Sequence, residues 1–182
     1  MDDILETLEA ERMAYGADAI AHTPQGKTVF VAGAVPGDVV DAKVIQNEAT
    51  FSRAMAQRIV EPSARRVTPA CPYAGICGGC PWASLSYGSQ LEAKRSNVVD
   101  SLVRIGHLDQ QVAEGLVGPC EAPGKEWGYR NKVELAYARQ GRRVTLGMHG
   151  VAAYGGKPPV VKVDACPLLD SRHKRLVKSV AG

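Results

Sequence analysis

Across 182 residues, 45% hydrophobic and 23% charged side chains describe an ordinary globular chain with room for one domain or two small ones. No apolar run approaches the roughly 20 residues that span a bilayer, and the acidic start MDDILETLEAE is unlike a secretory leader, so a cytoplasmic protein with no membrane partner is expected. The net charge of +3 hides an asymmetry: residues 1–60 carry five Lys/Arg against nine Asp/Glu (−4), which leaves 17 against 10 (+7) for residues 61–182 and points to a polyanionic partner there.

The first sixty residues read as short strands separated by turn chemistry. LEAERMA and YGADAIAH come first, and KTVFVAGAV runs into a turn at Pro36-Gly37. DVVDAKVIQ then puts Val40, Ala42 and Val44 on one face, and FSRAMAQRIV follows. Five such strands suggest a small closed barrel of the OB type, with another five-stranded topology as the alternative. Pro62, Pro69, Pro72 and the pair Arg65-Arg66 mark a boundary.

From Leu85 to Gly106 the period becomes helical. Leu91, Val98, Leu102 and Ile105 share a face, and Gly106 is a natural stop with Arg104 and His107 near the negative end of the dipole. YRNKVELAYARQGRRVTLGM reads as a hairpin turning at Gln140-Gly141, and PPVVKVDACPLL supplies a further strand that carries Cys166.

Cys71, Cys77 and Cys80 form C-x5-C-G-G-C, with Cys166 remote. A disulfide framework is disfavoured in a reducing compartment, and five cysteines cannot pair completely. Zinc ribbons bring two C-x-x-C knuckles, and the second is missing here. Three clustered thiols and one remote thiol suit a cubane iron–sulfur cluster better. Gly78 and Gly79 would let backbone N–H groups approach sulfur. Zinc, with His149 or His173 as substitute ligands, and plain buried thiols are the alternatives; Cys120 reads as a loop or core thiol.

The run CPYAGICGGCPWASLSYGSQLEAKRSNVVDSLVRIG, followed by EWGYRNKVELAYA and DACPLL, resembles the iron–sulfur class of RNA (uracil-5-)-methyltransferases, 23S ribosomal RNA type. That family opens with a TRAM domain, whose signature VFVAGAVPGDVVDAKVI is similar to. The resemblance implies an OB-like five-stranded TRAM barrel over residues 1–62 and a small α+β iron–sulfur and RNA-binding region over residues 63–182. It implies a [4Fe-4S] cluster on Cys71, Cys77, Cys80 and Cys166, with ribosomal RNA as partner. In the YRNK segment Arg130, Asn131 and Lys132 are candidate RNA contacts, joined by Arg142 and Arg143 at the hairpin; Tyr129 and Trp127 would stack on bases or lie buried.

Family members continue into a domain that binds S-adenosylmethionine. There a cysteine thiolate adds to uracil C6 and a base later removes the C5 proton. The motifs of that domain are missing from these 182 residues, and the flanks of Cys120 do not match its nucleophile. The chain therefore reads as an N-terminal portion, inactive alone, with S-adenosylmethionine belonging to a longer parent. A stand-alone iron–sulfur redox module or a zinc-binding module is the alternative.

Overall fold

The computed structural model describes residues 5–122, 124–151 and 156–173. The chain forms two compact units: residues 1–67 with 84–122, and residues 68–83 with 123–182. Where the sequence suggests a single boundary after residue 62, the chain passes between the units three times, and the long helix groups with the first sheet.

The first unit is built on six strands: β1 (Leu5–Glu9), β2 (Arg12–Met13), β3 (Ala19–His22), β4 (Thr28–Ala32), β5 (Val39–Asn47) and β6 (Phe51–Glu61). Their hydrogen-bonded order is β1-β5-β6-β4-β3-β2, and β4 runs parallel to β6. The expected closed five-stranded barrel is thus corrected to an open six-stranded order. The first predicted strand breaks at Ala10-Glu11. Its two pieces diverge, β1 pairing with β5 and β2 with β3, so they become opposite ends of the sheet. Backbone bonds at the break, Ala10 N–H to the Asp38 carbonyl (2.8 Å) and Glu11 N–H to the Ile20 carbonyl (2.8 Å), hold the divergence. Three register shifts in the β5–β6 pair bend the sheet. One face of the sheet buries Leu8, Met13, Val29, Val31, Val40 and Ala54, while Ile20, opposite Phe30, is buried on the other.

The VPGD segment makes a tight turn for a definite reason. Pro36 presets one central φ and Gly37 supplies the other at +88°, while Asp38 N–H donates to the Val35 carbonyl at 3.0 Å, as in a type II turn. Asp38 is fully buried. Its carboxylate accepts from Val35 N–H (2.7 Å), Ser63 N–H (2.9 Å) and the Arg66 guanidinium (2.6 Å), which also reaches the Gly33 carbonyl. Burial pushes the Asp38 carboxyl up, but Arg66 and the two N–H donors outweigh it and hold its pKa below the usual carboxylate value. Arg66 is therefore an internal anchor of the sheet.

Helix α1 (Tyr87–Arg104) starts at Ser86, whose hydroxyl accepts from Ser89 N–H. Its buried residues are Asn97 and Val99, whereas Val98 and Ile105 are 50% and 78% exposed, so the predicted face is rotated. The reason is polar packing. Asn97 donates to the Ala14 carbonyl, and Arg95 donates to the Val117 and Glu114 carbonyls at the end of α2 (Gln110–Leu116), a helix the sequence reading did not anticipate. After Gly106 the left-handed residue is His107, at φ 54°.

The second unit carries a three-stranded antiparallel sheet, β7 (Ala136–Gln140), β8 (Arg143–His149) and β9 (Val160–Val161), in that order. Gln140 pairs with Arg143, so Gly141 and Arg142 form a two-residue loop with Gly141 at φ 61°. No helix among the described residues is long and apolar enough to cross a membrane.

Candidate functional site

Four of the five cysteines converge in the second unit. Cys71, Cys77, Cys80 and Cys166 line one cavity, together with Trp127, Arg130 and Met148. The loop from Cys71 to Cys80 is a chain of turns: Ala74 N–H donates to the Cys71 carbonyl, Cys77 N–H to the Tyr73 carbonyl and Ala83 N–H to the Cys80 carbonyl. It is fastened to the end of β8 by Gly78 N–H to the His149 carbonyl (2.9 Å) and Val151 N–H to the Ile76 carbonyl (3.0 Å). A Cβ at Gly78 would sit 2.8 Å from the Gly150 carbonyl oxygen, so this approach requires glycine. Gly79 N–H points at the Cys77 sulfur at 3.4 Å; of the two glycine N–H groups expected to face sulfur, one does and the other bonds a carbonyl.

The remote cysteine is brought in by two clamps. Asp164 N–H donates to the Tyr73 hydroxyl at 3.0 Å, tying the cysteine loop to the strand that leads to Cys166. Gly128 N–H donates to the Pro167 carbonyl and Arg130 N–H to the Leu168 carbonyl, while Asp170 N–H donates back to the Arg130 carbonyl. The YRNK segment thus lies along CPLLD, with Leu168 and Leu169 buried behind it.

Burial pushes the Cys80 thiol up, and charge on Cys166, Cys71 and Cys77 pushes it further, partly offset by Arg130. The raised Cys80 thiol, with three further cysteines lining the same cavity, marks a donor set in want of positive charge. A [4Fe-4S] core binds four thiolates and supplies that charge, and the three-plus-one spacing with a sulfur-directed N–H suits it. No group of three or more His, Cys, Asp or Glu side chains among the described residues is already drawn together as a metal site. His149 and His173 do not line the cysteine cavity. Cys120 belongs to the first unit, half-buried.

The predicted RNA contacts separate into three kinds. Arg130 lines the cysteine cavity, and its guanidinium lies 5.9 Å from the Tyr129 ring centre. Lys132 is paired with Glu134 at 2.8 Å, both well exposed. Asn131, Arg142 and Arg143 are exposed, the latter two at the hairpin turn. Trp127 lines the cavity, while Tyr129 is 51% exposed. Sequence reasoning missed the Asp164–Tyr73 clamp and the turn of Arg130 toward the cysteines; both depend on strands pairing across long stretches of chain, which no local pattern displays.

Residues 7–56 match the TRAM domain family. A protein of Gloeobacter violaceus named as an RNA methyltransferase is 35% identical over 91% of this chain and 35% of its own length. The 23S rRNA (uracil(1939)-C(5))-methyltransferase RlmD of Polaromonas sp. is 36% identical over 79% of the chain and 30% of its own length. That of Shewanella amazonensis is 34% identical over 96% and 38%. The chain therefore spans about a third of the length of the curated relatives it matches. Among solved structures, the Pyrococcus abyssi tRNA (uracil-54, C5)-methyltransferase, in complex with S-adenosyl-L-homocysteine, superposes with a TM-score of 0.53 at 22% identity, over 95% of this chain and 35% of that one.

Proposed function

Because this chain is a relative of the RNA uracil-5-methyltransferases that carries their TRAM domain, we propose that it is the RNA-binding, [4Fe-4S]-bearing portion of an S-adenosylmethionine-dependent 23S rRNA uracil-5-methyltransferase. The observation that carries the reading is the convergence of Cys71, Cys77, Cys80 and Cys166 on one cavity, in a chain whose relatives are named for rRNA methylation.

In this reading the four cysteines hold the cluster and Gly79 N–H steadies the Cys77 sulfur. Arg130 offsets part of the thiolate charge. When bound, the cluster supplies a cross-link between the 71–80 loop and the 164–170 segment, which a small unit with few buried side chains needs. The chain's own residues hold the RNA, and the methyl donor belongs to a catalytic domain outside residues 1–182.

Anaerobic purification tests this directly. The protein should be brown, with broad absorption near about 400 nm and about four irons and four sulfides per chain. Stoichiometric zinc without iron or sulfide after reconstitution would overturn the cluster. The 182-residue chain should form no denaturation-resistant adduct with 5-fluorouracil RNA and methyl donor; an adduct lost in Cys120→Ala would make Cys120 the nucleophile.

A further inference from the structure

The cavity that gathers the four cysteines has an uneven wall. Val133, Met148, Val163 and Leu168 make it largely apolar, and Arg130 is the one charged side chain that lines it among the described residues. Arg130 is held there by its backbone. Its N–H donates to the Leu168 carbonyl at 2.8 Å and its carbonyl accepts from Asp170 N–H at 2.9 Å, which sets it opposite Leu169, just beyond Cys166. The Tyr129 ring steadies the guanidinium, with its centre 5.9 Å away. Asp170, the acid in this clamp, is turned to another partner: its carboxylate accepts from Arg172 Nε at 2.9 Å. Lys132, by contrast, is paired with Glu134.

We propose that Arg130 sets the redox behaviour of the cluster held by these cysteines, its guanidinium favouring the electron-rich state. The inference rests on the cluster reading above and adds a control on that site. Four thiolates around a [4Fe-4S] core in its resting, doubly positive state leave a net negative charge, and one electron from an external reductant makes it more negative. A fixed cation in the wall stabilises the reduced form over the resting one, and so raises the reduction potential. The same cation opposes the loss of an electron to dioxygen, which takes it up as superoxide, so it slows the oxidation that begins cluster breakdown. An apolar wall strengthens the attraction, and a guanidinium stays charged at every working pH. Arg130 is exposed overall, so water limits the size of the effect.

The test reconstitutes the 182-residue protein anaerobically and titrates the cluster with dithionite and mediators, following absorption and the electron-spin resonance of the reduced form. Arg130→Met should keep wild-type iron and sulfide but shift the one-electron equilibrium about ten-fold toward the resting state, a midpoint about 59 mV lower. Arg130→Lys keeps the charge and should stay near wild type. Lys132→Met should also match wild type, because that charge is already paired with Glu134. In air, Arg130→Met should bleach faster than wild type and Arg130→Lys. A wild-type midpoint and bleaching rate in Arg130→Met would overturn the proposal and leave the cluster standing. An equal shift in Lys132→Met would overturn it too, by showing that any cation of this segment serves. If the wild-type cluster resists reduction, the bleaching rate decides, and equal rates in wild type and Arg130→Met overturn the proposal. If Arg130→Met takes up no cluster, Tyr129→Leu is read in its place: loss of the ring should lower the midpoint by a smaller step, and an unchanged midpoint overturns the proposal. Wild-type protein that takes up neither iron nor sulfide would overturn the cluster reading itself.

Discussion

The two units use charge in opposite ways. In the first, cations are largely spent internally: Arg66 on Asp38, Arg58 on Asp41, Arg12 on Asp100, with Arg53 beside Asp18 and over the rings of Phe30 and Phe51. In the second, the sheet cations lie in a stretch without acids, and the polar interior is a set of thiols. Apolar burial divides similarly. Among the described residues, sixteen of the nineteen buried hydrophobic side chains lie in the first unit, and Val163, Leu168 and Leu169 in the second. The first unit has a core of its own, whereas the second has few buried hydrophobic side chains among its described residues, which is where a bound group would add most to stability.

The largest expected effect breaks the second unit and spares the first. In the proposed cluster reading Cys166→Ser removes the remote ligand, so the cluster absorption should disappear and protease should cut within residues 123–173, while residues 1–67 stay protected. Cys120→Ser should change neither. Equal damage from both would mean that the four-cysteine assignment is wrong.

Next in size, Asp38→Ala should strike the first unit alone. It leaves Arg66 half-buried without its partner and strips Val35 and Ser63 N–H of their acceptor, a class of lesion that costs about 3–5 kcal/mol. Urea unfolding followed on the first unit should show this loss with iron content unchanged. The Asp38 pKa is depressed in the folded state, so its contribution is fully present above the unfolded value of about 3.9 and is lost as pH falls through the lower folded value. In Arg66→Met, burial acts with less to oppose it and the acid transition should move to higher pH. An unchanged acid midpoint would show that Arg66 does not hold the carboxylate ionised.

Much of this was legible in local sequence. The strand runs and the Pro36-Gly37 turn follow from local pattern and turn chemistry, and the turn expected at Gln140-Gly141 falls one residue later, at Gly141-Arg142; the grouping of Cys166 with the clustered cysteines comes from the family resemblance. What was not legible depends on partners distant in the chain. Arg66 reads as a linker charge until the VPGD turn is placed beside it. The buried face of α1 carries Asn97, which donates to the Ala14 carbonyl, and Val99 rather than the expected Val98. The first strand reads as continuous because nothing in LEAERMA signals that its halves pair with different neighbours. Arg130 alternates as an exposed strand residue should, yet its pairing with CPLLD brings it to the thiols.

A smaller effect is expected at Gly37. Its φ of +88° is costly for any L side chain, and an added Cβ would meet the Ser63 hydroxyl at 2.8 Å. Gly37→Ala should therefore destabilise the first unit by about 1–3 kcal/mol, below the Asp38 lesion because the ion pair survives. A loss that matched Asp38→Ala would mean that the turn, rather than the carboxylate, is the anchor.

The smallest expected effect tests whether the acids of the first unit are spent on hydrogen bonds or on charge. Asp109 begins α2, and its carboxylate accepts from Gln111 N–H at 2.8 Å and Val112 N–H at 3.2 Å. Asp109→Ala should cost about 1 kcal/mol, the usual loss for an N-cap. Asp109→Asn keeps an acceptor oxygen for the same N–H groups and removes only the attraction between a negative charge and the helix N-terminus, so it should cost a few tenths of that. The effect should reach beyond α2, because Arg95 of α1 bonds the Glu114 and Val117 carbonyls at its far end; fraying α2 would free that guanidinium and loosen the packing of both helices. Hydrogen exchange at Ala113, which is fully buried, reports it directly: faster exchange in the Ala variant and near-native exchange in the Asn variant. Equal acceleration in both would show that charge at the helix end, and not the capping bond, is what this part of the molecule uses its acid for.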